Sequence, residues 1–378
     1  MSVSQPSWTI GIEEEYLMVN RDTGELATDS MNGVIEACQA ELKDLVRPEF
    51  LQSQIEVATD VCKDVKEARA QLAYMRAKVA EIGANYNLAP IAASTHPMAE
   101  WDQQVHTDAE RYHNFANDMQ AVVRRLIISG MHVHVGIDDD DLRIDLMNQV
   151  SYFLPHLLAL STSSAFWRGR KTGLMCYRLS VFDELPRTGL PELFDTYSEY
   201  RKHVRALINV GVIKDATMLW WDVRPAHKFP TLEMRITDIC TTLDDAIAVA
   251  SLFQCLLRML HRLRRANQRW RTYRTMLINE NRWRAQRYGL DEGLVDFGKS
   301  QIVAFDSLLE ELFEMLQEDA ETLNCTEELL SLRTILKRGT SSHRQLAIFE
   351  AAKENGATDL EACRTVSKWL MEETVNVT

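Results

Sequence analysis

The sequence predicts an α+β fold in which helices cover one face of a largely antiparallel sheet. Three observations predict it. Several segments alternate apolar and polar residues with a period of two, as half-buried strands do. Segments between them repeat apolar residues every three or four positions, as amphipathic helices do. The connections between strands are long and irregular, unlike a regular βαβ repeat, and only helical patterns remain after residue 300.

The predicted strands alternate with predicted helices along the chain. In order, the strands are Trp8–Val19, Gln52–Thr59, Leu88–Ser94, Met131–Ile137, Leu219–Arg224 and Thr231–Thr237. The apolar spacing predicts helices from Val65 to Ile82, from Tyr112 to Leu126, from Ala246 to Leu260, and from Ile302 to Leu316. No linker rich in Pro, Gly or Ser divides the chain. We therefore expect a main domain over residues 1–300 and a helical extension over residues 301–378, packed together as one structural unit.

The overall charge disfavours a nucleic-acid partner. The chain has 378 residues and a formal net charge of −13. A strongly negative protein repels the phosphate backbone of DNA or RNA, although a local basic pocket can still bind a small anion.

The cysteines and the apolar segments indicate a cytoplasmic protein with no membrane partner. Seven cysteines make an odd count with no C-x-x-C pair, which is typical of reduced thiols. The N-terminal sequence MSVSQPSW lacks the basic start and apolar run of a signal peptide. The longest apolar stretch, Ala246–Leu257, is too short to span a bilayer. A homodimer is the default expectation for the oligomeric state.

Four of the predicted strands combine an apolar face with a face of chemically active side chains. Those side chains are Glu13, Glu15, Glu56, His132, His134, Glu233 and Arg235. The simpler interpretation is a solvated sheet face, but such a face usually mixes Lys, Thr, Ser and Gln. Carboxylates two residues apart repel each other unless a cation lies between them. An oxygen-rich set with one imidazole suits Mg²⁺ or Mn²⁺ better than Zn²⁺, so we predict a metal site here.

Glu14 points to the opposite side of the first strand from Glu13 and Glu15. We therefore expect Glu15→Gln to weaken binding of Mg²⁺ with nucleotide, and Glu14→Gln to leave that binding and the activity almost unchanged.

A nucleotide, if bound, is held without a glycine-rich loop. The sequence contains neither G-x-x-x-x-G-K-[ST] nor G-x-G-x-x-G. Mg²⁺ held by several carboxylates usually bridges nucleotide phosphates. The metal and arginine side chains are then the expected contacts to the phosphates.

Five sequence blocks, in order over residues 8–290, resemble the glutamate–cysteine ligase type 2, or carboxylate–amine ligase, family. The blocks are GIEEEY from Gly11, GMHVHV from Gly130, FWRGRKTG from Phe166, WDVRP from Trp221 with PTLEMR from Pro230, and NRWRA from Asn281. The resemblance implies a glutamine-synthetase-like catalytic domain, with an antiparallel sheet forming an active-site funnel for ATP and Mg²⁺. It also implies an ATP-dependent ligase that forms an amide bond through an acyl phosphate.

The resemblance also assigns roles to individual residues. Metal binding falls to Glu13, Glu15, Glu56, His132 and Glu233, and stabilisation of the transferred phosphoryl group falls to Arg235. His134 matches the family more loosely, which places it beside the substrate. Apart from the resemblance, Arg178 and Arg224 are candidates for the substrate carboxylate, with an ion pair at the surface or sheet edge as the alternative, and Arg178 and Arg284 are candidates for the nucleotide. The implied substrates are glutamate and cysteine or analogues, joined with weak activity to give γ-glutamylcysteine.

Two other functions remain open at this stage. His132 and His134 form an H-x-H on a strand, as in zinc-dependent amidohydrolases. That class carries its H-x-H near the start of a (β/α)₈ barrel, which the helical end of this chain does not continue. The other alternative is a non-catalytic metal-binding protein.

Overall fold

The computed structural model describes residues 5–28, 33–101, 104–108 and 110–377. Its strands are β1 (Ile10–Asn20), β2 (Val46–Pro48), β3 (Gln54–Ala58), β4 (Leu88–Ile91), β5 (Met131–Gly136), β6 (Phe166–Trp167), β7 (Arg170–Lys171), β8 (Thr188–Gly189), β9 (Trp220–Trp221), β10 (Val223–Pro225), β11 (Thr231–Met234), β12 (Leu294–Asp296) and β13 (Gln301–Val303). Its helices are α1 (Val34–Leu42), α2 (Val65–Ala84), α3 (Glu110–Met119), α4 (Ala121–Arg124), α5 (Asp140–Val150), α6 (Leu154–Ser161), α7 (Arg178–Phe182), α8 (Tyr197–Asn209), α9 (Leu243–Arg265), α10 (Thr275–Tyr288), α11 (Phe305–Thr322), α12 (Thr326–Leu330), α13 (Leu332–Arg338), α14 (Ser341–Glu354) and α15 (Asp359–Val375).

The main sheet is antiparallel throughout. Its strands lie in the order β10-β11-β5-β1-β3-β2, and β4 pairs with the end of β1. The register places Glu13 opposite His132, Glu15 opposite Glu56, and Glu233 opposite His134. Residues directly opposite each other in a sheet point to the same face. The polar faces predicted for the separate strands are therefore one continuous face.

Helices cover the other face of the sheet. Ile12 of β1, Val57 of β3 and Val133 of β5 are buried in one large core cluster. That cluster also contains the apolar side of α2, including Leu72 and Val79, and most of α9. At the end of β1, however, Leu17 and Val19 lie on the same side of the strand as Glu13 and Glu15 and are buried in one cluster with Val366 of α15. The prediction that helices cover one sheet face alone is therefore wrong at that end of the sheet.

Two predicted strands end earlier than their sequence pattern suggests. The segment Leu219–Arg224 breaks at Asp222 into β9, which pairs in parallel with β8, and β10, which joins the main sheet. The segment Thr231–Thr237 leaves the ladder after Met234. It does so because the amides of Arg235 and Ile236 both donate to the carbonyl of Asp222, at 2.8 and 3.1 Å.

Two predicted helices also differ from the structure. The helix from Tyr112 to Leu126 is interrupted at Gln120, whose φ of 51° cannot continue a right-handed helix. Ile302 is not helical. It lies in β13, which forms a hairpin with β12, and its side chain is exposed. The C-terminal helices therefore begin at Phe305.

The C-terminal helices share their core with the sheet. Val366 and Leu370 of α15 are buried in one cluster with Leu17 of β1 and Ile91 of β4. The hydroxyl of Thr374 accepts a hydrogen bond of 2.8 Å from the amide of Ala92. The predicted division into a main domain over residues 1–300 and a helical extension over residues 301–378 stays a prediction.

All seven cysteines are buried free thiols, as the sequence predicts. Across the described ranges, no helix combines the length and apolar character needed to cross a bilayer.

Candidate active site

The polar face of the sheet carries two clusters of potential metal ligands. The first, the histidine cluster, consists of Glu13, His134 and Glu233; the second, the carboxylate cluster, consists of Glu15, Glu49 and Glu56. In each cluster, one ligand atom per residue lies within 4.8 Å of the others.

His132 lies between the two clusters. Its Nδ1 is 3.1 Å from Oε2 of Glu13, and its Nε2 is 3.7 Å from Oε1 of Glu15. The five residues predicted to bind metal are therefore close together, but they are divided between two centres. The structure places His134, predicted as a substrate residue, within the histidine cluster itself.

Charges in the histidine cluster balance one another. Burial opposes ionisation of Glu13, but the imidazoles of His132 and His134, which lie 3.1 and 3.5 Å from its carboxylate oxygens, outweigh it and hold its pKa well below the usual range. Burial also opposes ionisation of Glu233, but Arg235 and Arg224 outweigh it and lower its pKa. Burial disfavours a charged His134, yet Glu233 and Glu13 raise its pKa.

Charges in the carboxylate cluster are not balanced. Burial and the charge of Glu49 raise the pKa of Glu15 to about 7. Burial, Glu49 and Glu13 together raise the pKa of Glu56 well above its usual range. Among the described residues, the ion-pair partner of Glu56 is Arg47, whose Nη1 is 3.9 Å away on a side chain that is 57% exposed. Three carboxylates this close require a further positive charge to stay ionised together.

Both clusters fit a divalent cation. Nε2 of His132 and Nε2 of His134 are buried, and neither has a hydrogen-bond partner within the described ranges. A buried nitrogen without a partner is costly unless a ligand satisfies it. Two carboxylates with one imidazole, as in the histidine cluster, and three carboxylates, as in the carboxylate cluster, both suit Mg²⁺ or Mn²⁺.

Sequence reasoning missed Glu49. It follows the three-residue strand β2, which pairs with β3 and sets Arg47 opposite Glu56. A strand this short, ending in Pro48, shows no readable alternation. A carboxylate seven positions before Glu56 was the only available signal.

Arg235 lies between the two clusters and keeps one unused donor. Its Nη1 donates to Glu233 and is 3.4 Å from Nδ1 of His132. Its Nε is buried and finds no partner in the residues that the structure describes. The charges of Glu15 and Glu13 both act on its guanidinium.

Arg224 and Arg178 lie beside Glu233 and Arg235, but their guanidinium groups already bind protein atoms. Arg224 grips Glu233 with two nitrogens, at 2.8 and 3.1 Å, and donates to the carbonyls of Thr217 and Leu219. Arg178 is almost fully buried. Its Nη1 and Nη2 lie 3.3 Å from the carbonyl of Arg235.

Arg284 forms no hydrogen bond or ion pair with the two clusters or with Arg235 in the part of the chain that the structure describes. Its guanidinium donates to the carbonyls of Gly293 and Glu292 and lies over the ring of Tyr288. A role for Arg284 with the nucleotide stays a prediction.

Glu14, on the opposite face of β1, belongs to a buried ion pair that the sequence pattern does not reveal. Its carboxylate and the guanidinium of Arg76 are both fully buried and form a two-nitrogen ion pair at 2.6 and 2.9 Å. The hydroxyl of Tyr16 donates to the same carboxylate at 2.5 Å. The alternation placed Glu14 on the apolar face but could not reveal a partner 62 residues away.

The sequence itself decides the family. A sequence model of the glutamate–cysteine ligase family 2 matches residues 9–362. The chain belongs to this family. A relative from Rhodospirillum rubrum with the provisional name glutamate–cysteine ligase 2 is 57% identical over 98% of this chain and 96% of its own. Relatives of the same provisional name from Jannaschia sp. and Paracoccus denitrificans are each 49% identical over 98% of this chain, and over 97% and 98% of their own.

Solved structures share the fold of this ligase family member. The glutamate–cysteine ligase of Francisella tularensis, determined in complex with AMP, superposes with a TM-score of 0.68 at 15% identity, covering 97% of this chain and 89% of its own. A bifunctional glutathione synthetase from Pasteurella multocida gives a TM-score of 0.68 at 14% identity, covering 97% of this chain and 52% of its own. The fold class implied by the resemblance is confirmed.

Family membership also confirms the predicted enzyme class, an ATP-dependent ligase that forms carbon–nitrogen bonds. The zinc-dependent amidohydrolase alternative is wrong. His132 and His134 lie on a strand of an antiparallel sheet, not at the start of a (β/α)₈ barrel.

Proposed function

We propose that the protein joins the carboxylate of one amino acid to the amine of another through an acyl phosphate, at the expense of ATP. The proposal depends on one observation: on the polar face of the sheet, Arg235 lies between two clusters of side chains that could each bind a divalent cation. We propose glutamate and cysteine as substrates, joined weakly to γ-glutamylcysteine, in the cytoplasm where the seven free thiols stay reduced. The relatives that bear the glutamate–cysteine ligase name support this choice.

The reaction has two steps. A carboxylate oxygen attacks the γ-phosphorus of ATP, the bond to the β-phosphate oxygen breaks, and ADP leaves. The amine nitrogen then attacks the acyl carbon, the carbon–oxygen bond breaks with its electron pair, and phosphate leaves while the nitrogen loses a proton. In such transfers, positioning and charge neutralisation supply most of the rate enhancement.

The protein groups divide this work among themselves. We assign Glu13, His134 and Glu233 to one divalent cation and Glu15, Glu49 and Glu56 to another. Bound Mg²⁺ or Mn²⁺ would neutralise the phosphate oxygens of ATP.

The arginines and the remaining histidine hold and position groups around these clusters. The guanidinium of Arg235, whose Nε is without a partner among the described residues, faces the transferred phosphoryl group. His132 orients Glu13 and Glu15. Arg224 holds Glu233, and Arg178 stays a candidate for the carboxylate of the substrate.

The test follows ADP release with amino acids offered singly and in pairs, in the presence of Mg²⁺, Mn²⁺ or Zn²⁺. We expect ADP formation that requires both amino acids and is supported by Mg²⁺ or Mn²⁺. If calorimetry detects binding of Mg²⁺ and ATP but no pair of substrates releases ADP, the protein is a binding protein and the proposal is wrong.

A further inference from the structure

Arg282, on α10, is buried between two aspartates, and within the described ranges it forms no hydrogen bond or ion pair with a candidate site residue. Its Nε and Nη2 donate to the carboxylate of Asp222 at 2.7 and 3.2 Å. Its Nη1 and Nη2 donate to the carboxylate of Asp183 at 2.6 and 2.9 Å. A guanidinium can form two such forked pairs at once, and an ammonium group cannot.

The first of these aspartates holds the backbone of Arg235. The carbonyl of Asp222 accepts the amides of Arg235 and Ile236, at 2.8 and 3.1 Å. These bonds matter because β11 ends at Met234, so Arg235 has no regular strand pairing. Asp222 is 2% exposed, and its carboxylate needs a buried cation to remain ionised at this position.

The second aspartate, Asp183, follows the helix that carries Arg178, and Arg178 binds the carbonyl of Arg235. Asp183 ends the short helix α7, whose first residue is Arg178. Arg178 donates to the carbonyl of Arg235 and, at 3.3 Å, to that of Ile236. The amide and the carbonyl of Arg235 are thus held from two separate segments, and Arg282 joins both segments.

We infer that Arg282 is a positioning residue for catalysis, which fixes the backbone of Arg235 by joining Asp222 to α7. The inference rests on the role proposed for Arg235. Without this link the side chain of Arg235 keeps its chemistry but loses its place relative to the two clusters. Displacement of a catalytic group by about 1 Å can lower a rate about 100-fold.

The main test is Arg282→Lys, which keeps the charge but loses the fork. We expect kcat to fall about 10- to 100-fold with little change in the KM for ATP. The matched control is Arg262→Lys. Arg262 forks onto the buried Asp319, with Nη2 at 2.7 Å from Oδ2, in the packing between α9 and α11. The control should lower the melting temperature and leave kcat unchanged.

A double-variant cycle separates positioning from general damage. If Arg282 acts through Arg235, Arg282→Lys should cause almost no further loss of kcat in an Arg235→Lys background. Multiplied losses in the double variant would overturn the inference. Asp183→Asn, at a side chain that is 34% exposed, is a milder variant with the same expectation should Arg282→Lys not fold.

Hydrogen–deuterium exchange gives a readout that needs no activity. In Arg282→Lys, but not in Arg262→Lys, peptides that contain the amides of Arg235 and Ile236 should exchange faster. Unchanged exchange would also overturn the inference. Because this measurement uses the enzyme without substrates, its outcome is independent of whether the ligase proposal holds.

Discussion

Glu14 and Glu15 are neighbours in the chain but lie on opposite faces of β1. The charge of Glu14 stabilises the folded protein, whereas the charge of Glu15 destabilises it when no metal is bound. Glu15 belongs to the crowded carboxylate cluster, whereas Glu14 is paired in the core with Arg76. Removing one charge from the cluster relieves repulsion in the metal-free protein. Removing the charge of Glu14 leaves a buried guanidinium without its partner.

We predict opposite results for the two Gln variants. Glu15→Gln should weaken binding of Mg²⁺ with ATP at least about tenfold and leave the metal-free free energy of unfolding unchanged or higher. Glu14→Gln should lose roughly 3–5 kcal/mol of unfolding free energy. Calorimetry and urea unfolding in chelator measure the two quantities. The same pattern of losses in both variants would show that the two faces are not distinct.

Replacement of Arg235 should affect turnover more than folding or ATP binding. Arg235→Lys should fold, bind ATP, and lose at least roughly two orders of magnitude in kcat, because Lys cannot contact two phosphoryl oxygens with a planar fork. Steady-state kinetics and calorimetry check this. If the contact with Glu233 merely stabilises the sheet, the variant will keep most of its activity and only its melting temperature will fall.

His96 provides a pH-dependent term in stability. Its Nε2 donates to the carbonyl of Gly24 at 3.0 Å, and its Nδ1 accepts the amides of Met98 and Ala99 at 3.2 and 3.0 Å. These bonds require a neutral ring, and burial lowers the pKa of His96 to about 4. Below pH 6.5 the unfolded chain takes up a proton that the folded protein refuses, so stability falls as the pH falls towards 4.

The contribution of His96 to the pH dependence of the unfolding free energy can be measured. Between pH 7 and pH 5 this histidine should account for about 2 kcal/mol of lost unfolding free energy. His96→Gln should be less stable at both pH values but should lose about that much less between them. An equal pH-dependent loss in both proteins would contradict the assignment.

The residues of the candidate site were predictable where the strand pattern exposed them. Period two placed Glu13, Glu15, Glu56 and Glu233 on the polar side of their own strands, and the register then joined those sides into one face. Glu49 lies outside any alternating segment. The division into two clusters depends on how strands far apart in sequence align, which periodicity does not encode.

At the scale of elements, α15 tests whether the C-terminal helices are part of the folding unit. Leu370 is buried against the end of the sheet, whereas Leu360 on the same helix is 48% exposed. Leu370→Ala should cost roughly 2–5 kcal/mol and lower a single unfolding transition of the whole protein. Leu360→Ala should change stability by less than about 0.5 kcal/mol.

Urea unfolding followed by far-UV dichroism and by tryptophan fluorescence distinguishes the possibilities. Coincident transitions in Leu370→Ala support one unit. A separate early transition, with binding of ATP intact, would show that the extension unfolds by itself.

Elements were predictable where local pattern and tertiary structure agree. The strands β1, β3 and β5 and the helices α2 and α9 all match segments with strong periodicity. The errors arise where tertiary contacts override the pattern. Asp222 interrupts one apolar run because its carbonyl serves two amides, and Ile302 pairs in a hairpin although its spacing suits a helix.

At the scale of the whole molecule, the protein separates stability from chemistry by sheet face. One face of the sheet packs against α2 and α9, and the other gathers carboxylates, imidazoles and Arg235. An acidic protein with a net charge of −13 would repel ATP alone. Divalent cations on the polar face are the physical means by which this chain would bind a polyphosphate.

Trapping of the acyl phosphate tests the central claim most directly. The enzyme, incubated with Mg²⁺, ATP, glutamate and hydroxylamine in place of the amine, should yield γ-glutamyl hydroxamate, ADP and phosphate in equal amounts. The same mixture with Arg235→Lys should give at least roughly 100-fold less product per unit time. Formation of AMP and pyrophosphate would mean that the carboxylate is adenylated, and the mechanism proposed for this site would be wrong.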